Sequence, residues 1–381
     1  MKKFIVIILI TFLLTGCYNY KELNKIGIVS SISIDKEKNE YLVGTQIMNI
    51  KSENSNDSSN VIVYTEKGKS IEEALRKITK KSDKKLFGGH LSKLVISEEV
   101  ANESIIDVID LFQRLPEIKT EFTITISKGI KANDVIKVMT SEGSIPADFV
   151  KNEIDSAYLY SALTYSSKLD EFVSFYLKKY IDPVVSVIKV DNYTEDGTST
   201  ENSKKTNPDT KIILDNIATT KNGKLDIFLD EKETIGYNLI RDNVNEMIIP
   251  VKCDNNNNYA SISILENKTK TSVKKKNNFY QIDINILSKG NLNEYNCNDD
   301  LKDEKTIKEI EKKTKKEIIN YIDKVLNIKT DSEFLGLKRL IYLEYPNYNN
   351  EEYKININVK VNISRKGEIN NGIKGAKNEN K

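Results

Sequence analysis

The first 17 residues constrain this chain most, because they combine a short basic start, an apolar run and a cysteine. Met1-Lys2-Lys3 precede the run Phe4–Leu14, whose 11 residues are too few for the roughly 20 that cross a bilayer. A run of this length after a positive start is typical of a signal peptide. We therefore predict that residues 1–16 direct export and are absent from the folded protein.

The predicted signal ends in Leu14-Thr15-Gly16-Cys17, which resembles the lipobox of bacterial lipoproteins. In a lipobox the cysteine thiol receives a diacylglyceryl group, and cleavage leaves the modified cysteine as the first residue. The alternative is a plain secretory signal, or an uncleaved anchor with a chance cysteine. No later stretch approaches about 18 apolar residues, so we expect the remainder to lie outside the membrane, held by a lipid on Cys17.

Composition excludes several classes of function. Lys+Arg number 58 and Asp+Glu 56, and removing Lys2 and Lys3 leaves 56 of each, so the mature chain lacks the basic excess of a nucleic-acid-binding protein. The chain has one histidine, three cysteines and no tryptophan. A mixed His/Cys zinc site would need nearly all of these residues, and a Ser-His-Asp or Cys-His site could use only His90. We expect no metal, no cofactor, no nucleic-acid partner and a non-catalytic role.

Hydrophobic periodicity predicts an α+β fold in which mixed, mostly antiparallel sheets pack with helices. Residues 28–34 and 41–50 have the pattern of a β-hairpin, and Ser70-Ile71-Glu72-Glu73 has that of a helix capping box. A long helix from about residue 303 to 326 carries one apolar stripe, and residues 353–363 alternate as a strand does. Strands and helices follow each other without a βαβ rhythm, and the length favours several domains, three being the expectation.

The main predicted boundary is the segment 191–210, whose 20 residues include one aromatic residue and one proline and cannot bury much surface. It is either a linker or a long loop. Beyond it, Asn222-Gly223 predicts a hairpin turn. The predicted division is a lipoprotein signal peptide (1–16), an N-terminal α+β domain (17–190), a polar linker (191–210), a small middle α+β domain (211–267), a C-terminal α+β domain with the long helix (268–371) and a disordered tail (372–381).

Two cysteines remain after Cys17. An exported protein can pair Cys253 with Cys297 in a disulfide, but two unpaired thiols are an equal alternative, because the sequence does not show whether they meet.

Several short motifs, taken in order, resemble the Ger(x)C family, the lipoprotein C subunits of spore germinant receptors. The resemblance covers nearly the whole chain, although it is thinner in the C-terminal half. The matching segments are Glu22-Leu23-Asn24, Ile34-Asp35, Glu73-Ala74-Leu75-Arg76, Leu86-Phe87-Gly88-Gly89-His90, Phe112 to Ile118, Lys128-Gly129, Asp331, Phe334-Leu335-Gly336, Tyr345-Pro346 and Val361 to Gly367. The chain departs from the family at Tyr18-Asn19, where Trp-Asp is usual, at Gly88, and at Leu335.

The resemblance implies three α+β domains on the outer face of the spore inner membrane. It implies assembly with polytopic A and B receptor subunits that respond to nutrients, in which the C subunit is required but non-catalytic. The motif residues that it marks for a partner or structural role are Glu22, Leu23, Asp35, Arg76, Phe87, Gly89, His90, Arg114 and Pro116.

Most of these motif residues also have a purely structural interpretation. His90 could sense pH or contact a partner, but its place after two glycines favours a local turn. Arg76 and Arg114 could pair with Asp35 or Glu117 to tie elements together. We expect the three motif glycines to occupy turns that need positive φ. The glycines concerned are Gly88, Gly89 and Gly129.

Two other classes of protein are alternatives. A solute-binding lipoprotein of an importer normally has two lobes built on βαβ units, which the hairpin-like strands argue against. An envelope enzyme using carboxylates alone remains compatible with the composition.

Replacing Cys17 with alanine tests the lipid attachment. The Cys17→Ala chain should accumulate as a longer precursor without lipid, because the acyl acceptor is lost; mass spectrometry and membrane fractionation would measure both properties. Normal processing and membrane retention of the variant would contradict the lipoprotein prediction.

Overall fold

The strands form two sheets in the computed structural model, which describes residues 25–49, 59–140, 145–253, 258–297 and 304–364. The described strands of the first sheet are β1 Ile26–Glu37, β2 Glu40–Met48, β3 Val61–Gly68, β4 Lys85–Phe87, β5 Lys93–Ser97, β6 Thr123–Ser127, β7 Val184–Asp191, β8 Lys211–Lys221 and β9 Lys224–Phe228. Those of the second are β10 Met247–Lys252, β11 Tyr259–Lys275, β12 Tyr280–Tyr295 and β13 Tyr353–Ser364.

Ten described α-helices accompany the sheets. They are α1 Ile71–Ile78, α2 Glu98–Glu103, α3 Ile105–Arg114, α4 Ala132–Val135, α5 Pro146–Ser161, α6 Leu169–Tyr176, α7 Thr200–Lys204, α8 Glu231–Ile240, α9 Glu304–Leu326 and α10 Leu337–Glu344. A 3₁₀ turn at Glu195–Thr198 precedes α7.

The first sheet has a parallel centre between antiparallel flanks. Its order is β3-β2-β1-β5-β6-β7-β8-β9, and β4 pairs with the start of β1. Strands β1, β5, β6 and β7 run parallel, whereas β2 and β3 on one side and β8 and β9 on the other pair antiparallel. The amino ends of the parallel strands therefore meet at one edge, here called the amino edge. It contains the strand starts Ile26, Lys85, Lys93, Thr123 and Val184.

The two faces of this sheet differ in polarity, since successive side chains point to opposite sides. One face is apolar and is covered by α1, α2, α3 and α6. Its central side chains are Ile32, Ile34, Leu94, Ile96, Ile124 and Ile126. The other face lies under α4 and α5 and carries a buried row of small polar residues with one lysine. Its members are Ser31, Ser33, Lys93, Thr123, Thr125 and Ser186.

The second sheet has the order β10-β11-β12-β13, with β13 parallel to β12 and the other pairs antiparallel. Helices α8 and α9 pack on it and share its core. The buried positions of α9 recur at helical spacing, as the sequence predicts, and hold the helix against the strands. They are Ile307, Ile310, Thr314, Ile318, Tyr321, Ile322 and Val325.

Hydrogen bonds join the two sheets through the segment before α10. The backbone N–H of Glu333 donates to Asp182 Oδ2 at 2.7 Å, and the Ser332 hydroxyl donates to the Thr220 carbonyl at 2.7 Å. Phe334 is buried and its ring stacks on that of Tyr237 of α8, with 6.0 Å between the centroids. The family-like residues 331–336 thus lie at the junction between the sheets.

The α+β, multi-domain class is confirmed, with mixed sheets packed by helices. The hairpin at Asn222-Gly223 and the end of α3 just before Pro116 also appear as predicted. Ser70 caps α1 by accepting from the N–H of Glu73 at 3.1 Å. The expectation that the elements lack a βαβ rhythm is wrong for the first sheet, because β5, β6 and β7 are parallel neighbours with helices between them along the chain.

The segment 191–210 is a loop rather than a linker between the sheets, because it joins the adjacent strands β7 and β8. Its buried Asn202 donates from Nδ2 to the carbonyls of Met139 and Thr210, at 2.7 and 3.1 Å, which fixes this polar segment in place. The predicted middle domain, 211–267, contributes β8 and β9 to the first sheet and β10 and β11 to the second. The three-domain division stays a prediction, and its signal peptide and tail lie outside the described residues.

Cys253 and Cys297 form a disulfide, with their Cα atoms 5.8 Å apart. The sequence left this pairing open. The bond links the end of β10 to the residues after β12, and the covalent link adds to the antiparallel pairing through β11.

Candidate functional site

Two of the family-like motifs meet at the amino edge. β4 ends at Phe87, and the next four residues form a turn in which the N–H of Leu91 donates to the Gly88 carbonyl at 3.1 Å. His90 lies in this turn, as predicted. The structure shows that it is exposed and that its ring contacts that of Phe87 edge-on, with centroids 6.4 Å apart. The side chain is therefore available to solvent or to a partner.

The second motif extends past the end of α3, and its last residues pack against this turn. A Cβ atom at Gly88 would lie 2.5 Å from Cγ1 of Ile118, and Lys85 Nζ lies 2.6 Å from Glu117 Oε1. Pro116 is exposed beside these contacts. The motifs Leu86–His90 and Phe112–Ile118 thus form one surface cluster.

The glycines in the turn have a different role from the one expected. Of the three motif glycines only Gly129 has positive φ, at 70°, and Gly88 and Gly89 do not. A Cβ atom at Gly89 would come within 2.5 Å of the Phe87 ring. Crowding by Ile118 and Phe87, rather than backbone conformation, therefore disfavours a side chain at these two positions.

Arg76 and Arg114 do not make the predicted ion pairs. Each is exposed and pairs within its own helix at i,i+4 spacing, Arg76 with Glu72 and Arg114 with Asp110, both at 2.8 Å. A carboxylate one turn away is reached with less loss of side-chain freedom than one on another element. Exposed pairs of this kind contribute little to stability, so neither arginine ties elements together.

Asp35 lies away from the amino edge, at the far end of β1, and is buried. Its two carboxylate oxygens accept from the backbone N–H groups of Ala132 and Asn133, at 2.8 and 2.7 Å, which fixes the start of α4. Burial raises the pKa of Asp35 to about 6, although the two backbone hydrogen bonds act in the opposite direction. Its role here is structural.

A buried lysine is the residue that sequence reasoning missed. Lys93 aligns with Ser31 on β1 and Thr123 on β6, on the face beneath α5. Its side chain is 2% exposed, and Nζ has no hydrogen-bond partner among the described residues. Burial lowers the pKa of Lys93 to about 7, and nearby carboxylates, first Glu153 of α5, act in the opposite direction. The available signal was a lysine at the start of the apolar run Leu94–Ile96.

The described part of the chain contains no group of three or more His, Cys, Asp or Glu side chains placed to hold a metal ion. The predicted site residues Cys17, Glu22 and Leu23 lie outside the described residues. None of the helices in the described ranges has both the length and the apolar composition that crossing a bilayer requires.

Two family models match this chain over most of its length. The model described as the spore germination protein N-terminal domain matches residues 19–190, and that described as spore germination B3/GerAC like, C-terminal, matches residues 215–367.

Curated relatives match along the whole chain. Spore germination protein KC of Bacillus subtilis (strain 168) is 26% identical and covers 97% of each chain. Spore germination protein GerQC of Bacillus cereus is 22% identical and covers 93% of this chain and 94% of its own. A solved structure of the GerBC protein, at 18% identity, covers 87% of this chain and 96% of its own with a TM-score of 0.47.

Replacing Lys93 with methionine tests its buried charge. The pKa of Lys93 is about 7 in the fold and 10.5 ordinarily, so between those values the unfolded chain binds more protons and stability rises with pH. Lys93→Met removes this penalty. At pH 7 the variant should therefore unfold at a higher denaturant concentration than the wild type, with a free energy of unfolding larger by up to about 4 kcal/mol. This difference between variant and wild type should shrink towards pH 10.

Lys224→Met, at an exposed position on β9, is the control and should behave as the wild type at both pH values. A Lys93→Met variant that is less stable than the wild type at pH 7, or a gap independent of pH, would contradict the assignment.

Proposed function

Because this chain belongs to the Ger(x)C family of spore germination proteins, we propose that it is the lipid-anchored, non-catalytic C subunit of a nutrient germinant receptor. The observation that carries the proposal is the match of both family models, which together span residues 19–190 and 215–367. The match to spore germination protein KC supports it, because the similarity covers 97% of each chain.

A non-catalytic role is consistent with the chemistry of the described residues. His90 is exposed and contacts an aromatic ring rather than a nucleophile or a carboxylate. Lys93 is buried under α5, and the carboxylate of Asp35 accepts hydrogen bonds from two backbone N–H groups. A subunit that works by assembly requires surfaces rather than reacting groups, and the motif cluster at the amino edge offers such a surface.

Attachment is proposed through a diacylglyceryl group on Cys17, with the folded part on the outer face of the spore inner membrane. The lipobox-like Leu14-Thr15-Gly16-Cys17 supports this anchor. The described chain begins at Lys25, at the amino edge, so a lipid on Cys17 tethers the molecule by that edge.

The proposed partners are the polytopic A and B subunits of the receptor. Within the motif cluster, His90 and Pro116 are exposed and are the proposed contact positions, whereas Phe87 and Gly89 support the turn beneath them. The C subunit is proposed to be needed for both receptor assembly and signalling.

Spores that lack this chain test the proposed function. They should respond poorly to the nutrient that the cognate receptor reads, within a panel of single amino acids and sugars, because an incomplete receptor does not signal. Non-nutrient triggers should still act, which shows that the later germination machinery is intact. Optical density and release of dipicolinic acid would measure the response.

A wild-type copy should restore the response, and a Cys17→Ala copy should not. An unchanged response to every nutrient in the panel, in a strain without a second receptor for the same nutrient, would contradict the proposal.

A further inference from the structure

An apolar and basic surface follows α6. Leu177 is 75% exposed, the highest value among the large apolar side chains of the described ranges, and the next two residues, Lys178 and Lys179, are exposed as well. An isolated apolar residue on a surface needs no explanation, but an apolar residue followed by two lysines is a pattern of surfaces that contact membranes.

A second segment adds to this surface from α10. Arg339 Nη1 donates to the Lys179 carbonyl at 3.2 Å, and the ring of Tyr180 lies 5.5 Å from that of Tyr342. Leu343, 61% exposed, directly follows Tyr342. The residues 177–179, Arg339 and Leu343 are here called the basic apolar patch.

The patch keeps its positive charge. Lys178 and Lys179 form no ion pair with any described residue, and the hydrogen bond of Arg339 goes to a neutral carbonyl. The neighbouring Lys338, by contrast, is paired with Glu333 at 2.5 Å, and Glu344 is an exposed acid beside the patch. Three basic groups around two exposed leucines complement an anionic and partly apolar surface.

The patch leads along the chain to the edge at which the described chain begins. Residues 177–183 lead directly into Val184, the start of β7, and β1 starts at Ile26 with its amino end on the same side. Cys17 precedes Lys25 by only eight residues, which span at most roughly 30 Å when fully extended. A lipid on Cys17 therefore holds the amino edge within that distance of the bilayer.

We propose that the basic apolar patch lies against the membrane and binds anionic lipid headgroups, with Leu177 and Leu343 entering the headgroup region. This proposal rests on the lipid attachment at Cys17. The tether keeps the patch at high local concentration near the bilayer, so a contact of modest affinity is sufficient to orient the molecule. Each lysine or arginine near an anionic surface adds electrostatic attraction, and each exposed leucine adds apolar burial.

A single tryptophan provides the test, because the natural chain has none. Leu177→Trp places the reporter in the patch. Ile213→Trp is the matched control, since Ile213 is 43% exposed and pairs with Lys189 towards the carboxyl end of β7, away from the amino edge. Both variants would be purified as the complete lipoprotein and reconstituted in vesicles of phosphatidylglycerol and phosphatidylcholine with brominated acyl chains.

The expected result is that brominated lipid quenches the indole fluorescence of the Leu177→Trp chain at least about twofold more than that of the Ile213→Trp chain, because only the patch reaches the bilayer. Reversing Lys178 and Lys179 to glutamate in the Leu177→Trp chain should lower that quenching, as should replacing phosphatidylglycerol with neutral lipid. Circular dichroism would show that each variant keeps the fold.

Vesicle flotation separates failure of the patch from failure of the anchor. If both variants float with the vesicles but brominated lipid quenches the Leu177→Trp and Ile213→Trp chains equally, the patch proposal is overturned and the lipid anchor is still supported. A lipoprotein that does not float would overturn both, because the patch rests on the anchor. If the reporter of the Leu177→Trp chain is unquenched in vesicles but shielded from a soluble quencher in the assembled receptor, the surface belongs to a protein partner and the lipid proposal is overturned.

Discussion

Strand β1 is the constraint on which the first sheet depends. It pairs with β2 on one side and with both β4 and β5 on the other, so it joins the antiparallel flank to the parallel centre. Its alternation places Ile32 and Ile34 in the apolar core and Ser31 and Ser33 on the polar face under α5. Because β1 is also the first described strand after Lys25, the proposed tether would pull on the strand that holds this sheet together.

The two halves of the molecule are coupled by hydrogen bonds rather than by chain connection alone. Besides the contacts of Ser332 and Glu333, Asn238 of α8 donates from Nδ2 to the carbonyls of Ala162 and Thr164, at 2.9 and 3.0 Å. Buried polar groups that are paired in this way favour one relative arrangement of the elements, because any other leaves them unsatisfied. Asp182, which accepts from Glu333, lies two residues before the start of β7, so this junction adjoins the amino edge.

Local signals in the sequence predicted local structure well. The Ser70 cap, the Asn222-Gly223 turn and the apolar stripe of α9 depend on residues within a few positions of one another, and each is present. Strand partners depend on contacts far apart along the chain. The alternation within β8 and β9 therefore identified a hairpin but not the sheet that it joins, and the parallel centre of the first sheet was missed.

The candidate site was predicted in part for the same reason. The motifs identified the residues Phe87, His90 and Pro116, but only the fold brings them into one cluster at the amino edge. The ion pairs of Arg76 and Arg114 were wrong because helical neighbours at i,i+4 compete with distant partners. The burial of Lys93 follows from the strand order, which no local pattern reports.

In the proposed function, this chain works as the C subunit of a membrane receptor. The most direct test of this function is affinity purification of a C-terminally tagged copy from detergent-solubilised spore inner membrane, with the co-purified proteins identified by mass spectrometry. We expect recovery of two polytopic receptor-type subunits. Recovery of an importer permease with its ATPase, or of no membrane protein at all, would contradict it.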